Sequence, residues 1–178
     1  MSGLDGTIGI GTVTDPYQYA ERRFKLTQKC LGILKERDFR IHLHTKSDLI
    51  LRDIDLLSSM RGEIGITITG IDDKHSKITE PGAPLPTKRL EALTQLTSGG
   101  IDTYALIGPV LNHLEGSEEE FVKALIPTGV KRVFIDALNP RPLLMERLNR
   151  MNIRGSDTAR EKIREIATDS GLIVKNVF

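Results

Sequence analysis

Residues 7–45 read TIGIGTVTDPYQYAERRFKLTQKCLGILKERDFRIHLHT, and this stretch decides the fold. TIGIGTV at 7–13 is a short apolar run rich in Ile and Val, and it ends at a turn around Pro16. The segment 20–38 follows with a helical pattern that places Phe24, Leu31 and Leu34 near one stripe. RIHLHT at 40–45 then reads as a second strand. A strand, a helix and a strand within forty residues form a βαβ unit, which implies parallel strands.

The same alternation continues to the end of the chain. Strand-like runs recur at 63–69 (EIGITIT), 103–109 (TYALIGP), 131–137 (KRVFIDA) and 172–177 (LIVKNV). Helical segments are expected at 48–60, 86–100, 141–150 and 156–169, with Gly99-Gly100 as a helix stop. Another helix follows Ser117, which with Glu120 makes a reciprocal capping box. The expected fold is α/β: a parallel sheet of about six βα units, open or curved into a partial, incomplete TIM-like barrel, in one domain spanning residues 1–178.

In such sheets the chemistry sits at the carboxyl ends of the strands. Those ends carry Thr14-Asp15, Thr45-Lys46-Ser47, Thr67 and Thr69, Gly108-Pro109, and Asp136 with Asn139. Lys46 reads two ways. It is a point charge able to hold a carboxylate or phosphate, or a solvated lysine beside a helix start capped by Ser47 or Asp48. Asp15 either accepts from a bound ligand's amine or caps a helix that Pro16 initiates. Thr67 and Thr69 either bind a ligand hydroxyl or reflect the β-propensity of Thr. The proline-rich stretch ITEPGAPLP at 78–86 is expected to be a stiff loop at the same end of the sheet, a lid or substrate rim. Lys88, Arg89 and Arg52 read as helix-surface charges.

Other features narrow the function classes. Net charge is +1 and aromatics make up 4% with no Trp, so nucleic-acid binding would need a local basic patch. His42 and His44 share one strand face but need a third ligand to make a metal site; His75 and His113 fall on expected loops. The single cysteine, Cys30, excludes internal disulfides and a self-supplied multi-cysteine site, reads as a small buried or half-buried hydrophobe, and fits a reducing, cytoplasmic setting. No signal peptide or long apolar run is recognisable. The phosphate-loop, dinucleotide, zincin and hydrolase-elbow motifs are absent.

Four stretches, GTVTDPYQYAE, HTKSDLILRDIDLL, EPGAPLPTKRLEALTQLTSGGI and IGPVLNHL, together resemble the radical S-adenosylmethionine enzymes. Within that family they are most similar to the branch related to spore photoproduct lyase, named DNA repair photolyase-like. The likeness covers residues 7 to about 140. It implies a partial (βα)6 barrel in which strand 7–13 is the second barrel strand. It also implies a [4Fe–4S] cluster held by a Cys-x3-Cys-x2-Cys loop, and S-adenosylmethionine cleaved at that cluster to a 5′-deoxyadenosyl radical. Carried over by position, the resemblance places Lys46 at the cofactor carboxylate, Thr67 against the cofactor, Thr14 and Asp15 beside its methionine part, and Gly108 in the same site.

Two departures bear on this reading. One cysteine cannot hold the cluster, so the first βα unit and its cysteine loop are expected from a preceding segment or a separate N-terminal chain. In addition, Gly11, Thr12 and Val13 stand where spore photoproduct lyases carry a hydrogen-donating cysteine. The chain alone is therefore expected to be inactive. A non-catalytic partner module that forms homo-oligomers is the alternative, and an unrelated α/β enzyme using Asp15, Lys46 and Asp136 is a third reading.

Overall fold

The computed structural model describes residues 6–177, so MSGLD at the start and Phe178 lie outside the described residues. Six strands form one sheet: β1 (Thr7–Ile10), β2 (Arg40–Thr45), β3 (Gly62–Ile68), β4 (Thr103–Ile107), β5 (Arg132–Ile135) and β6 (Ile173–Asn176). They lie in sequence order and every neighbouring pair is parallel. All six expected strands are present: β2 has its expected bounds, β3 is shifted by one residue, and β1, β4, β5 and β6 are shorter than expected.

Sequential order has a topological consequence. Crossovers between parallel strands are right-handed almost without exception, and stepping in one direction along the sheet they collect the helices on one face. Ile41, Leu43, Ile64, Ile66, Ile68, Ala105, Ile107, Val133 and Ile135 are buried in the main core. They meet Leu93 and Leu96 of α5 (Pro86–Ser98), Phe121, Val122 and Leu125 of α6 (Glu118–Leu125), and Ile163 of α8 (Asp157–Asp169). The alternate residues, including His42, His44, Gly65, Thr67, Tyr104 and Phe134, point to the opposite face. A smaller cluster of Leu111, Leu148 and Ile153 packs α7 (Pro142–Arg150) beside the end of β4.

The helices depart from the expectations in physically specific ways. The 20–38 segment is broken at Lys25, whose φ of +52° separates α1 (Glu21–Phe24) from α2 (Leu26–Glu36). Leu31 is buried as expected, but the break turns Phe24 outward to 52% exposure. Cys30 is exposed rather than buried or half-buried. Segment 48–60 is a 3-10 turn at Asp48–Asp53 followed by α3 (Ile54–Ser58), and Ser47 caps it by accepting from the Leu49 amide at 3.3 Å. The capping box at Ser117 does not form: Ser117 makes no side-chain cap bond. The stretch 78–86 is shorter as a loop than expected, because Ile78 and Thr79 end a helix, α4 (Asp73–Thr79), and Pro86 begins α5.

Candidate functional site

The segment after β1 turns at Gly11, whose φ is +98°. A Cβ there would lie 2.2 Å from the His44 carbonyl oxygen, so only glycine lets the chain pass this close to β2. The turn delivers Asp15 onto the end of the next strand. Asp15 Oδ1 accepts from the Tyr17 amide at 2.8 Å and from Thr45 Oγ1 at 2.6 Å, and Oδ2 accepts from the Lys46 amide at 2.7 Å. Asp15 therefore caps no helix: α1 starts six residues later, with Ala20 at its cap. Its carboxylate ties the ends of β1 and β2 together.

The rest of the opening stretch is bound to the 48–53 turn. Tyr17 is buried and donates to Asp53 Oδ2 at 3.0 Å. Arg52 donates to Asp53 Oδ2 at 2.8 Å and to Glu21 Oε1 at 2.8 Å. Burial, reinforced by Asp53, pushes the Tyr17 phenol well above its usual range. Burial alone would raise Glu21, but the amides of Thr27 and Gln28 and the Arg52 guanidinium outweigh it and hold that carboxyl low. Arg52 is thus a bound cation in a buried knot and not an ordinary helix-surface charge.

Lys46 leaves the end of β2 and pairs with Glu80. Glu80 Oε2 accepts from Thr69 Oγ1 at 2.6 Å and from Arg89 Nη2 at 2.8 Å. Arg89 has 0% exposed side chain, contrary to the surface position expected. It also donates to the Pro84 carbonyl at 2.7 Å and to Thr69 Oγ1 at 3.2 Å. Burial works to raise the Glu80 carboxyl. Lys46 and Arg89 reverse this and bring it down to about 2. The blocks TDPYQYAE, TKSDLILRDIDLL and EPGAPLPTKRL thus converge on one polar row at the carboxyl ends of β1, β2 and β3.

Cavities lie on both sides of Lys46. One, of about 330 Å3, is lined by Asp15, Tyr17, Gln18, Tyr19, Arg22, Ser47 and the loop 82–84. The other, of about 220 Å3, is lined by Thr69, His75, Ser76, Glu80, Pro109, His113 and an apolar wall of Leu111, Leu138, Leu144 and Leu148. Of the five residues singled out as cofactor-facing, Asp15 and Lys46 come together at these openings. Thr14 is exposed and lines neither cavity. Thr67 is buried and also lines neither; its carbonyl accepts from Arg89 Nη1 at 3.4 Å. Gly108 has a packing reason: a Cβ there would lie 2.7 Å from that of Asp136. Its neighbour Pro109 lines the smaller cavity.

The histidines separate into two pairs. His42 Nδ1 meets Glu63 Oε1 at 2.9 Å and His42 Nε2 meets Tyr104 Oη at 2.8 Å, so both ring nitrogens are engaged. His44 is 6.1 Å away, ring to ring. His75 of α4 and His113 of the turn Asn112–Leu114 stack at 4.2 Å in the smaller cavity. That second pairing spans 38 positions of sequence and follows only from the fold. Glu80 was also missed, although its place before the first proline of the 78–86 loop is a signal that a charged loop residue is held in one position.

The chain is 40% identical over 114 residues to an uncharacterized protein of Methanocaldococcus jannaschii, covering 62% of this chain and 43% of that one. It is 31% identical over 124 residues to an uncharacterized protein of Mycobacterium tuberculosis, covering 67% and 36%. The chain thus spans less than half the length of these relatives. No family model matches it. Among solved structures, spore photoproduct lyase complexed with dinucleoside spore photoproduct superposes with a TM-score of 0.72 at 12% identity, over 98% of this chain and 62% of the lyase. Streptococcus suis SuiB bound to S-adenosylmethionine gives 0.65 at 13% identity, over 97% and 39%. A domain of pyruvate-formate lyase-activating enzyme from Bacteroides vulgatus gives 0.66 at 12% identity, over 85% and 91%.

The chain shares its fold, a parallel α/β sheet in sequential strand order, with spore photoproduct lyase, SuiB and the domain of pyruvate-formate lyase-activating enzyme. At such identities the likeness establishes the fold and not a branch within it. Among the described residues no three His, Cys, Asp or Glu converge on a metal position, and no helix is long and apolar enough to cross a membrane.

Proposed function

We propose that this chain is the S-adenosylmethionine-binding part of a radical S-adenosylmethionine enzyme of the photolyase-like branch. The observation that carries the reading is Lys46. Its backbone is held by Asp15, its ammonium is aimed by Glu80, and it borders both cavities at the carboxyl ends of the strands. A cation held this way loses little side-chain freedom when it meets a carboxylate. Its ammonium has three donors, and Glu80 takes one face of it.

These residues fit the cofactor. Lys46 would hold its carboxylate, and Asp15, whose Oδ2 accepts only the Lys46 amide and keeps acceptor capacity, would face its amino group. The leucine wall beside Pro109 would cover an apolar ring and exclude water from it. When bound to a reduced cluster, the cofactor supplies radical chemistry.

The residues do not fit the cluster itself. Cys30 is the only cysteine, and it is exposed on α2, away from the strand ends. In this reading the cluster ligands come from another segment, which would add to the open edge at β1. Anaerobic incubation with iron and sulfide tests this. The chain alone is expected to take up no stoichiometric cluster, and a stable cluster absorbance near one per chain would contradict it.

The same edge supports a second reading, a non-catalytic module that pairs through β1. Its residues alternate between exposed and half-buried, and among the described residues it has no neighbouring strand on one side. Light scattering that finds a strict monomer at micromolar concentration would count against it.

A further inference from the structure

We propose that the outer flank of α2 is a docking surface for an acidic amphipathic helix, carried by the segment that pairs with the open edge at β1. The helix turns its apolar residues two ways. Leu31 is buried and Leu34 packs against the core. Leu26, Cys30 and Ile33 have the i, i+4, i+7 spacing of a single stripe, yet they are exposed, Leu26 to 62% and Ile33 to 59%. Phe24 of α1, turned outward by the break at Lys25, adds its ring to the same side of the chain. Single exposed apolar residues are ordinary, but a continuous stripe marks a surface that another element covers.

Helical geometry fixes where the stripe points. Gln28 Nε2 donates to Asp53 Oδ1, so that side of α2 faces the turn Asp48–Asp53 that follows β2. At 3.6 residues per turn, Leu26, Cys30 and Ile33 lie about 140–160° round the helix from Gln28. The stripe therefore looks away from β2 and out past β1, the end strand of the sheet. A hollow of about 220 Å3, lined in part by Pro16, Ala20, Phe24 and Leu26, opens at its N-terminal end and would take an apolar side chain. Among the described residues β1 pairs only with β2, so the backbone groups on its outer side have no strand to bond. One strand-and-helix segment would cover both features, the strand on the edge and the helix on the stripe.

Charge names the chemistry of the partner. Residues 22–37 carry six cations, Arg22, Arg23, Lys25, Lys29, Lys35 and Arg37, against one carboxylate, Glu36. All are exposed, and none of the six enters an ion pair among the described residues. Lys29 lies beside the stripe and Arg37 at its C-terminal end. A second copy docked stripe to stripe would set these cations against their own counterparts, which like-charge repulsion disfavours. A lipid surface or a nucleic-acid duplex would match the charge but leave the edge of β1 unpaired. An acidic helix with its adjoining strand satisfies the stripe, the charge and the edge together. The inference rests on the reading in which another segment completes the sheet at β1, and not on the cofactor.

The test uses the full chain and a dye-labelled synthetic acidic peptide of about 18 residues, long enough to hold a helix. The peptide carries Leu at i, i+4 and i+7 with Glu on both flanks, and binding is followed by fluorescence anisotropy. One saturable site per chain is expected, weakened at least tenfold when Lys replaces Glu in the peptide. Ile33→Ser, at an exposed position, should weaken binding about tenfold. Lys29→Glu combined with Arg37→Glu should reverse the preference, so that the Lys peptide binds more tightly than the Glu peptide. Ile173→Ser, exposed on the far edge strand β6, should leave binding unchanged. Far-ultraviolet circular dichroism checks that each variant is folded. No binding of the acidic peptide, or binding indifferent to the charge reversal, would overturn the proposal. Tighter binding to phosphatidylserine vesicles or to a DNA duplex than to the peptide would overturn it too, as would self-association that Ile33→Ser abolishes. S-adenosylmethionine titration keeps the two readings apart. Wild type that binds the cofactor but not the peptide sinks this inference alone, and wild type that binds the peptide but not the cofactor sinks the cofactor reading alone.

Discussion

Replacing Glu80 by Gln removes one charge and almost no volume from the middle of the polar row. Glu80 is the only carboxylate that ion-pairs with the fully buried Arg89 among the described residues, and it also holds Lys46. The guanidinium would keep its bonds to the Pro84 carbonyl and Thr69 but lose its counter-charge. Breaking a buried pair from one side costs about 3–5 kcal/mol. The carboxyl's own titration gives a second route to the magnitude. A drop from its ordinary 4.5 to about 2 corresponds to about 3 kcal/mol of folding stability. The lower end is preferred, because Lys46 is a third exposed and its share is screened by water. A loss of about 3 kcal/mol in a chain of this size lowers Tm by roughly 6–12 °C.

Because the folded-state carboxyl titrates below the unfolded one, this contribution is complete above pH 4.5 and disappears as pH falls toward about 2. Urea unfolding followed by circular dichroism at pH 7 and at pH 3 measures both effects. Glu80→Gln should lose stability at pH 7 and much less at pH 3, where wild type has given up part of the same term. A loss under about 1 kcal/mol at pH 7 would refute the reasoning and mean that Arg89 is neutralised by something else.

Asp15→Ala should cost about 1–3 kcal/mol, since it leaves the Lys46 amide and Thr45 hydroxyl without their acceptor, as denaturant midpoints would report. Gly11→Ala should destabilise by about 1–3 kcal/mol through its positive φ and the 2.2 Å approach to His44, and a melting curve unchanged from wild type would count against that turn.

How much of this was legible beforehand depends on the range of the forces involved. The strands announced themselves because short runs such as 63–69 place Ile at alternate positions, a strand pattern that local sequence carries by itself. The interruption at Lys25 did not, because it goes with contacts distant in sequence: Glu21 reaches both Arg52 and the amides of Thr27 and Gln28 across the break. Arg89 read as a surface charge because its helix is amphipathic, while its burial depends on a carboxylate nine positions earlier in a different element. Asp15 and Lys46 were readable as strand-end residues, but their joining through a backbone amide was not. His75 and His113 carried no pattern at all, since stacking between a residue of α4 and one of the turn Asn112–Leu114 leaves no periodicity.

The most direct test of the central claim is calorimetric titration of S-adenosylmethionine into the wild-type chain and into Lys46→Ala. The account predicts one saturable site in the wild type and at least about tenfold weaker binding in the variant, as expected when a charge-assisted contact worth about 1.5–3 kcal/mol is removed. Wild-type binding that Lys46→Ala leaves unchanged, or no binding by the folded wild type, would contradict it.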